Sequence, residues 1–183
     1  MTTGAAAGKT DMADHSGRKL PATRIASLFV GLNYFAAGLA AGAMLPGFLV
    51  PVFPRMLYYH IPLGLAAVVI GLFALVAAMF YLFVTGASIK EAVKERGLPA
   101  EYYRRSKPFK KTLFPFCMLT ITLLITMTVL GGAVHAGKVN RNIHLFFALA
   151  TAVSYYYTIK KMKEVFQKDT ALIADALDAL AGC

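Results

Sequence analysis

Tryptophan is absent from the 183 residues, cysteine occurs twice, and only nine residues are acidic. Cys117 and Cys183 form no C-x-x-C pair, which excludes covalent c-type haem attachment, a zinc ribbon and a disulfide framework. Cys117 lies in an apolar run and reads as a small packing residue. Charge is also scarce. Charged residues make up 15% of the chain, against about a quarter in a soluble domain. The deficit is local: long stretches contain no Asp, Glu, Lys or Arg, and the charges gather between them. That pattern, with 58% hydrophobic residues and a mean hydropathy of +0.61, indicates a membrane protein rather than an apolar soluble core.

Four apolar runs are long enough to consider as spans, at about residues 25–45, 60–85, 113–136 and 143–159. At 1.5 Å per residue, roughly 20 residues cross a hydrocarbon core of about 30 Å. The fourth run is short, and Lys160, Lys161 and Lys163 can snorkel to its interface. Pro46, Pro51 and Pro54 are expected to end the first span and to shape the connection that follows it. Ala41-Gly42-Ala43 after the first run also fits a signal-peptidase site, and cleavage there leaves three spans.

Orientation follows from the cations. Sixteen of the nineteen Lys and Arg residues fall on the amino tail, the 86–112 connection and the segment after Ile159; only Arg55, Lys138 and Arg141 fall on the opposite side. The bias alternates correctly across four spans and puts both termini in the cytoplasm. It also accounts for the net charge of +10 through anionic lipid head groups, without nucleic acid. The expected fold is all-α: an integral membrane four-helix bundle, N-in and C-in, in the inner membrane of a bacterium.

Three segments complete the plan. Residues 1–24 read as a disordered cytoplasmic tail. Its Gly4-Ala-Ala-Ala-Gly8-Lys9-Thr10 imitates a phosphate-binding loop, but it has three residues between its glycines, not four, and no strand before it. In the cytoplasmic connection, Ser88 and Glu91 fit a capping box, Gly97 and Pro99 mark a stop, and a second short helix carries Tyr102 and Tyr103. Its basic residues form a lipid-facing belt or a docking surface for a partner. Residues 160–183 form a cytoplasmic amphipathic tail in which Leu172, Ile173, Ala176, Leu177 and Leu180 recur at helical spacing. This face is expected on the membrane or against a neighbouring subunit.

Chemistry concentrates at the external ends of the spans. His60 opens the second, His135 nearly closes the third and His144 opens the fourth. Gly64 lies one turn deeper than His60, and Gly131 one turn deeper than His135, so each histidine has a side-chain-free patch on its own helix face. A flat porphyrin ligated between helices needs such clearance. Arg55, Lys138 and Arg141 lie close by and can neutralise propionates. The pattern points to non-covalent haem b with His60 and His135 as axial ligands, and His144 as an alternative ligand or hydrogen-bond donor to a propionate or quinone.

Two readings stand beside haem. A mononuclear zinc or copper site could use the three imidazoles, though no Asp or Glu accompanies them to act as a base. Alternatively no cofactor is bound, and the glycines serve helix packing, as Gly38 and Gly42 do at the same spacing without a histidine. The spans contain no charged residue; Asn33, Tyr34, Thr120, Thr122, Thr126 and Thr128 are their main polar groups, which argues against a pump or voltage sensor. No combination of nucleophile, base and orienting group suggests a free-standing enzyme.

In span number, size and interfacial histidines the chain resembles the membrane-anchor cytochrome b subunits of respiratory complexes, such as those that hold succinate dehydrogenase at the membrane. The resemblance implies a small electron-transfer subunit, with quinol as a candidate electron donor, working with other membrane subunits. It carries no family-specific motif, and no functional residue is transferred. A haem-free accessory subunit of a membrane complex is the alternative.

Overall fold

The computed structural model describes residues 21–181. Within them the chain is helical throughout: α1 Pro21–Leu49, a single 3-10 turn at Pro54–Met56, α2 Leu57–Glu95, α3 Ala100–His135 and α4 Arg141–Ala181. Helix α1 packs along α2, α2 along α3, α3 along α4, and α4 returns to α1, while α2 and α4 meet only slightly across the centre. Helices α1, α2 and α3 are each long and apolar enough to cross a membrane. The apolar stretch of α4 is diluted by His144, Thr151, Ser154 and the run Tyr155-Tyr156-Tyr157.

Several expected boundaries shift. Four residues assigned to a disordered tail, 21–24, are helical, while the rest of that tail, with the glycine-rich imitation and His15, lies outside the described residues. Pro46 does not end α1, which runs three residues further to Leu49. Pro62 in α2 and Pro108 and Pro115 in α3 are likewise inside helices. A proline removes one backbone bond, and packed neighbouring helices hold the chain in register around the gap. Ser88 sits within α2 rather than capping a new helix. Helix α3 starts at Ala100 and continues unbroken through the expected third span.

Turns fall where glycine permits them. Gly97 at φ +73° and Gly137 at φ +67° are the described residues with positive φ. After α3, the amide of Lys138 donates to the carbonyl of Ala133 at 2.9 Å, so the left-handed glycine closes the helix by capping its last free carbonyls.

The helices outreach a bilayer. The 39 residues of α2 extend roughly 58 Å and the 41 of α4 roughly 62 Å, about twice a hydrocarbon core. The surplus lies at the basic end, where α2, the connection to α3 and α4 build a second small core from Ile89, Leu98, Leu172 and Ala176. Tyr102, Tyr103 and Ile173 pack against it. The expectation that the carboxyl-terminal apolar face meets lipid or another subunit is therefore corrected. It is buried within the chain, because α4 runs straight on from its apolar stretch and carries that face onto α2 and α3. Leu177, at 49% exposure, stays outside.

Candidate functional site

Two histidines meet at the end away from the basic α2–α3 connection. His60 sits one turn into α2 and His144 one turn into α4, and their rings meet in a T-shaped contact with centroids 6.2 Å apart and planes at 84°. The His60 Nδ1 lies 2.8 Å from the carbonyl of Ala43 on α1. A carbonyl only accepts, so Nδ1 carries the proton and the lone pair of the neutral ring sits on Nε2. The acceptor belongs to the turn before Pro46, the turn that a proline ring pushes outward. The His144 Nδ1 is also buried and has no hydrogen-bond partner, and the backbone of Met127 on α3 lies close to the ring. Each imidazole thus lies against the backbone of a neighbouring helix, α1 for His60 and α3 for His144.

A glycine makes each approach feasible. A Cβ built on Gly47 of α1 would fall 2.7 Å from His60 Nδ1 and 2.8 Å from Cε1. One built on Gly131 of α3 would fall 3.2 Å from His144 Cε1. Close backbone approach is what these positions require of glycine. Sequence spacing places Gly64 and Gly131 under the histidines of their own helices. In the structure, Gly131 instead receives the ring of His144 from the next helix, and Gly64 stays open, with only the Ala43 Cβ within 4 Å, at 3.9 Å. Gly47 was not singled out by spacing, which reports neighbours along a helix and not those across two helices.

The expected pairing of His60 with His135 is not what the fold produces. His135 is the last residue of α3 and is exposed, and the partner of His60 is His144. Among the described residues, no group of three or more His, Cys, Asp or Glu side chains is placed to hold a metal ion. The three imidazoles therefore do not form the tripod that a zinc or copper site was expected to use. Arg55 in the 3-10 turn, Lys138 in the α3–α4 turn and Arg141 at the start of α4 are exposed at the same end as the histidines.

Below the pair, buried polar groups fasten the helices to one another. Tyr155 Oη donates to Asn33 Oδ1 at 3.0 Å, joining α4 to α1. The Asn33 amide donates to the Phe29 carbonyl at 2.8 Å and approaches Met162 Sδ at 3.6 Å. Thr120 of α3 shares hydrogen bonds with Ser154 at 2.7 Å and Thr158 at 2.8 Å on α4. These hydroxyls satisfy each other where lipid cannot. Gly71 faces Tyr155, whose Oη would lie 3.2 Å from a Cβ there.

One acidic group escaped the reading of the sequence. Asp169 of α4 is 1% exposed. Thr85 donates to its Oδ1 over a long 3.5 Å, Tyr81 hydrogen-bonds to it, and the Lys110 ammonium acts on it at longer range. Burial pushes its pKa up to about 6 despite these contacts.

The arrangement defines an all-helical protein with three helices fit to cross a membrane and a pair of imidazoles in T-shaped contact. Neither a protein-family model nor a curated protein nor a solved structure matches the chain.

Proposed function

We propose that this chain is a small membrane subunit that binds b-type haem between His60 and His144 and transfers electrons within a larger, quinol-linked complex. The observation that carries the reading is the geometry of the pair. An imidazole nitrogen binds a transition metal at about 2.0–2.1 Å, and a ring centre lies roughly 1.15 Å behind it, so two imidazoles that met one metal from opposite sides would have centroids roughly 6.3–6.5 Å apart. The observed separation is 6.2 Å. Opposed rings are free to rotate about the nitrogen–metal axis, so the 84° angle is compatible with such ligation.

The tautomer supports the same reading. A ligating histidine ordinarily gives its other N–H to a backbone carbonyl or carboxylate, which fixes the ring and directs Nε2 at the metal. His60 does this through Ala43, at 2.8 Å. Haem, when bound, supplies one-electron chemistry; the chain holds and orients it and sets its surroundings. Arg55, Lys138 and Arg141 would balance the propionates. His135, beside them, is a candidate hydrogen-bond donor at the rim.

In this reading α4 is the fourth span, and the bundle lies N-in and C-in in a bacterial inner membrane. The sixteen-to-three distribution of cations supports that orientation. Haem then sits near the extracytoplasmic face, and the cytoplasmic helical extension offers surface to partner subunits. The test is an oxidised and reduced absorbance spectrum of protein made with ample haem. A Soret band that is lost in both His60→Ala and His144→Ala is the expected result. A spectrum unchanged in these variants overturns the assignment, and protein that purifies without haem or metal is a haem-free accessory subunit instead.

A further inference from the structure

Helices α1 and α4 leave a groove along their contact, open to the surroundings and bounded by residues of both. Its apolar length is made of Ala37, Ala41 and Met44 from α1 and Ala152 from α4. Its basic end is different: there Tyr34, Tyr156, Lys160 and Lys163 line the walls. The ten helical steps from Tyr34 to Met44 rise roughly 15 Å, which is half of a hydrocarbon core of about 30 Å. The groove is therefore as long as one leaflet is deep.

The charges at its mouth are selective. Lys161 is engaged with Glu164 at 2.9 Å. Among the described residues no carboxylate lies within ion-pair distance of Lys160 or Lys163, and both are exposed. Two ammonium groups are thus left over the groove, with the exposed Tyr34 and Tyr156 beside them. An occupant with an apolar tail one leaflet long and an anionic head satisfies both halves.

We propose that this groove binds one anionic phospholipid of the leaflet at the basic end, its phosphate held by Lys160 and Lys163 and an acyl chain lying along Ala37, Ala41 and Ala152. A quinone would use the same apolar length but has no charge for the lysines. The proposal does not depend on haem at the far end of the helices.

Native mass spectrometry of the full chain, released from phosphatidylcholine and titrated with phosphatidylglycerol, tests it. Two lysines near the head group should favour one bound phosphatidylglycerol over phosphatidylcholine by about thirtyfold. The preference should vanish in Lys160→Gln/Lys163→Gln and persist in Lys161→Gln. Ala41→Phe, which fills the apolar length at an exposed position, should weaken retention although both lysines remain. Equal retention of the two lipids overturns the proposal, as does a preference that survives the double variant or a bound quinone that displaces the lipid.

Discussion

Gly131 lies beneath the ring of His144, near enough that a methyl group on its α-carbon would sit 3.2 Å from Cε1. Gly47 stands in the same relation to His60, at 2.7 Å from Nδ1. The first contact can be relieved by a few tenths of an ångström, and the second requires the ring to move. Gly47→Ala should therefore push His60 off the Ala43 carbonyl and, on the proposed haem reading, reduce haem retention sharply. Gly131→Ala should keep haem but shift its reduction potential, read by a spectroscopic redox titration. Similar outcomes for both variants would contradict the different clearances.

The histidines divide in the same way. His60 and His144 meet, whereas His135 is exposed at the end of α3. His135→Ala is expected to leave the haem spectrum in place, with at most a small change in potential. Its loss to the same degree as in His144→Ala would show that ligation uses the third histidine.

Much of this was legible in the sequence, for reasons that also mark the limits. Long uncharged runs require helices in lipid, because only intrahelical bonds satisfy the backbone there. Histidines at one end followed from counting along those runs. Which two would meet did not follow, since His60, His135 and His144 have similar depth and helix rotation decides where each ring points. Helical spacing led to Gly64, a neighbour of His60 along α2, whereas Gly47 reaches His60 from α1 after a turn containing Pro46. A helix stop is expected at Pro46 and another at Gly97 and Pro99; α2 does end at Glu95, before the second, but α1 runs on through Pro46 to Leu49, where tertiary packing overrides the local preference. Nothing in the spacing marks Asp169, because its burial follows from the unbroken course of α4 past Ile159, which is a property of the fold.

The Tyr155–Asn33 bond ties α4 to α1, and both residues are buried, Asn33 completely. Tyr155→Phe removes the donor and leaves the Asn33 carbonyl oxygen without it in an apolar interior. The cost should be about 1–3 kcal/mol, that of a buried polar group left unsatisfied. Unfolding of the variant in mixed detergent would show it. The double variant Tyr155→Phe/Asn33→Leu, which removes both partners, should recover part of the loss; if it is less stable than the single variant, the amide has a further role through Phe29 and Met162.

Asp169 gives the fold a dependence on pH with a definite sign. Burial raises its pKa in the folded chain from 3.8 to about 6, so the folded state binds the proton more tightly than the unfolded state does. Its contribution is most favourable below the unfolded value, declines as pH rises between about 4 and 6, and is fully lost above that window. At pH 7 the ionised carboxylate is therefore a burden, which the Thr85 and Tyr81 hydroxyls reduce and do not remove. Asp169→Asn keeps the shape without the charge and should stabilise the protein at pH 7 by about 1–3 kcal/mol. Below about pH 4 the advantage should disappear, because the native side chain is then neutral as well. Thermal unfolding in detergent at pH 4, 5, 6 and 7 measures this directly. A wild-type protein that gains stability with rising pH relative to the variant would show that Lys110 closes on Asp169 as a true ion pair.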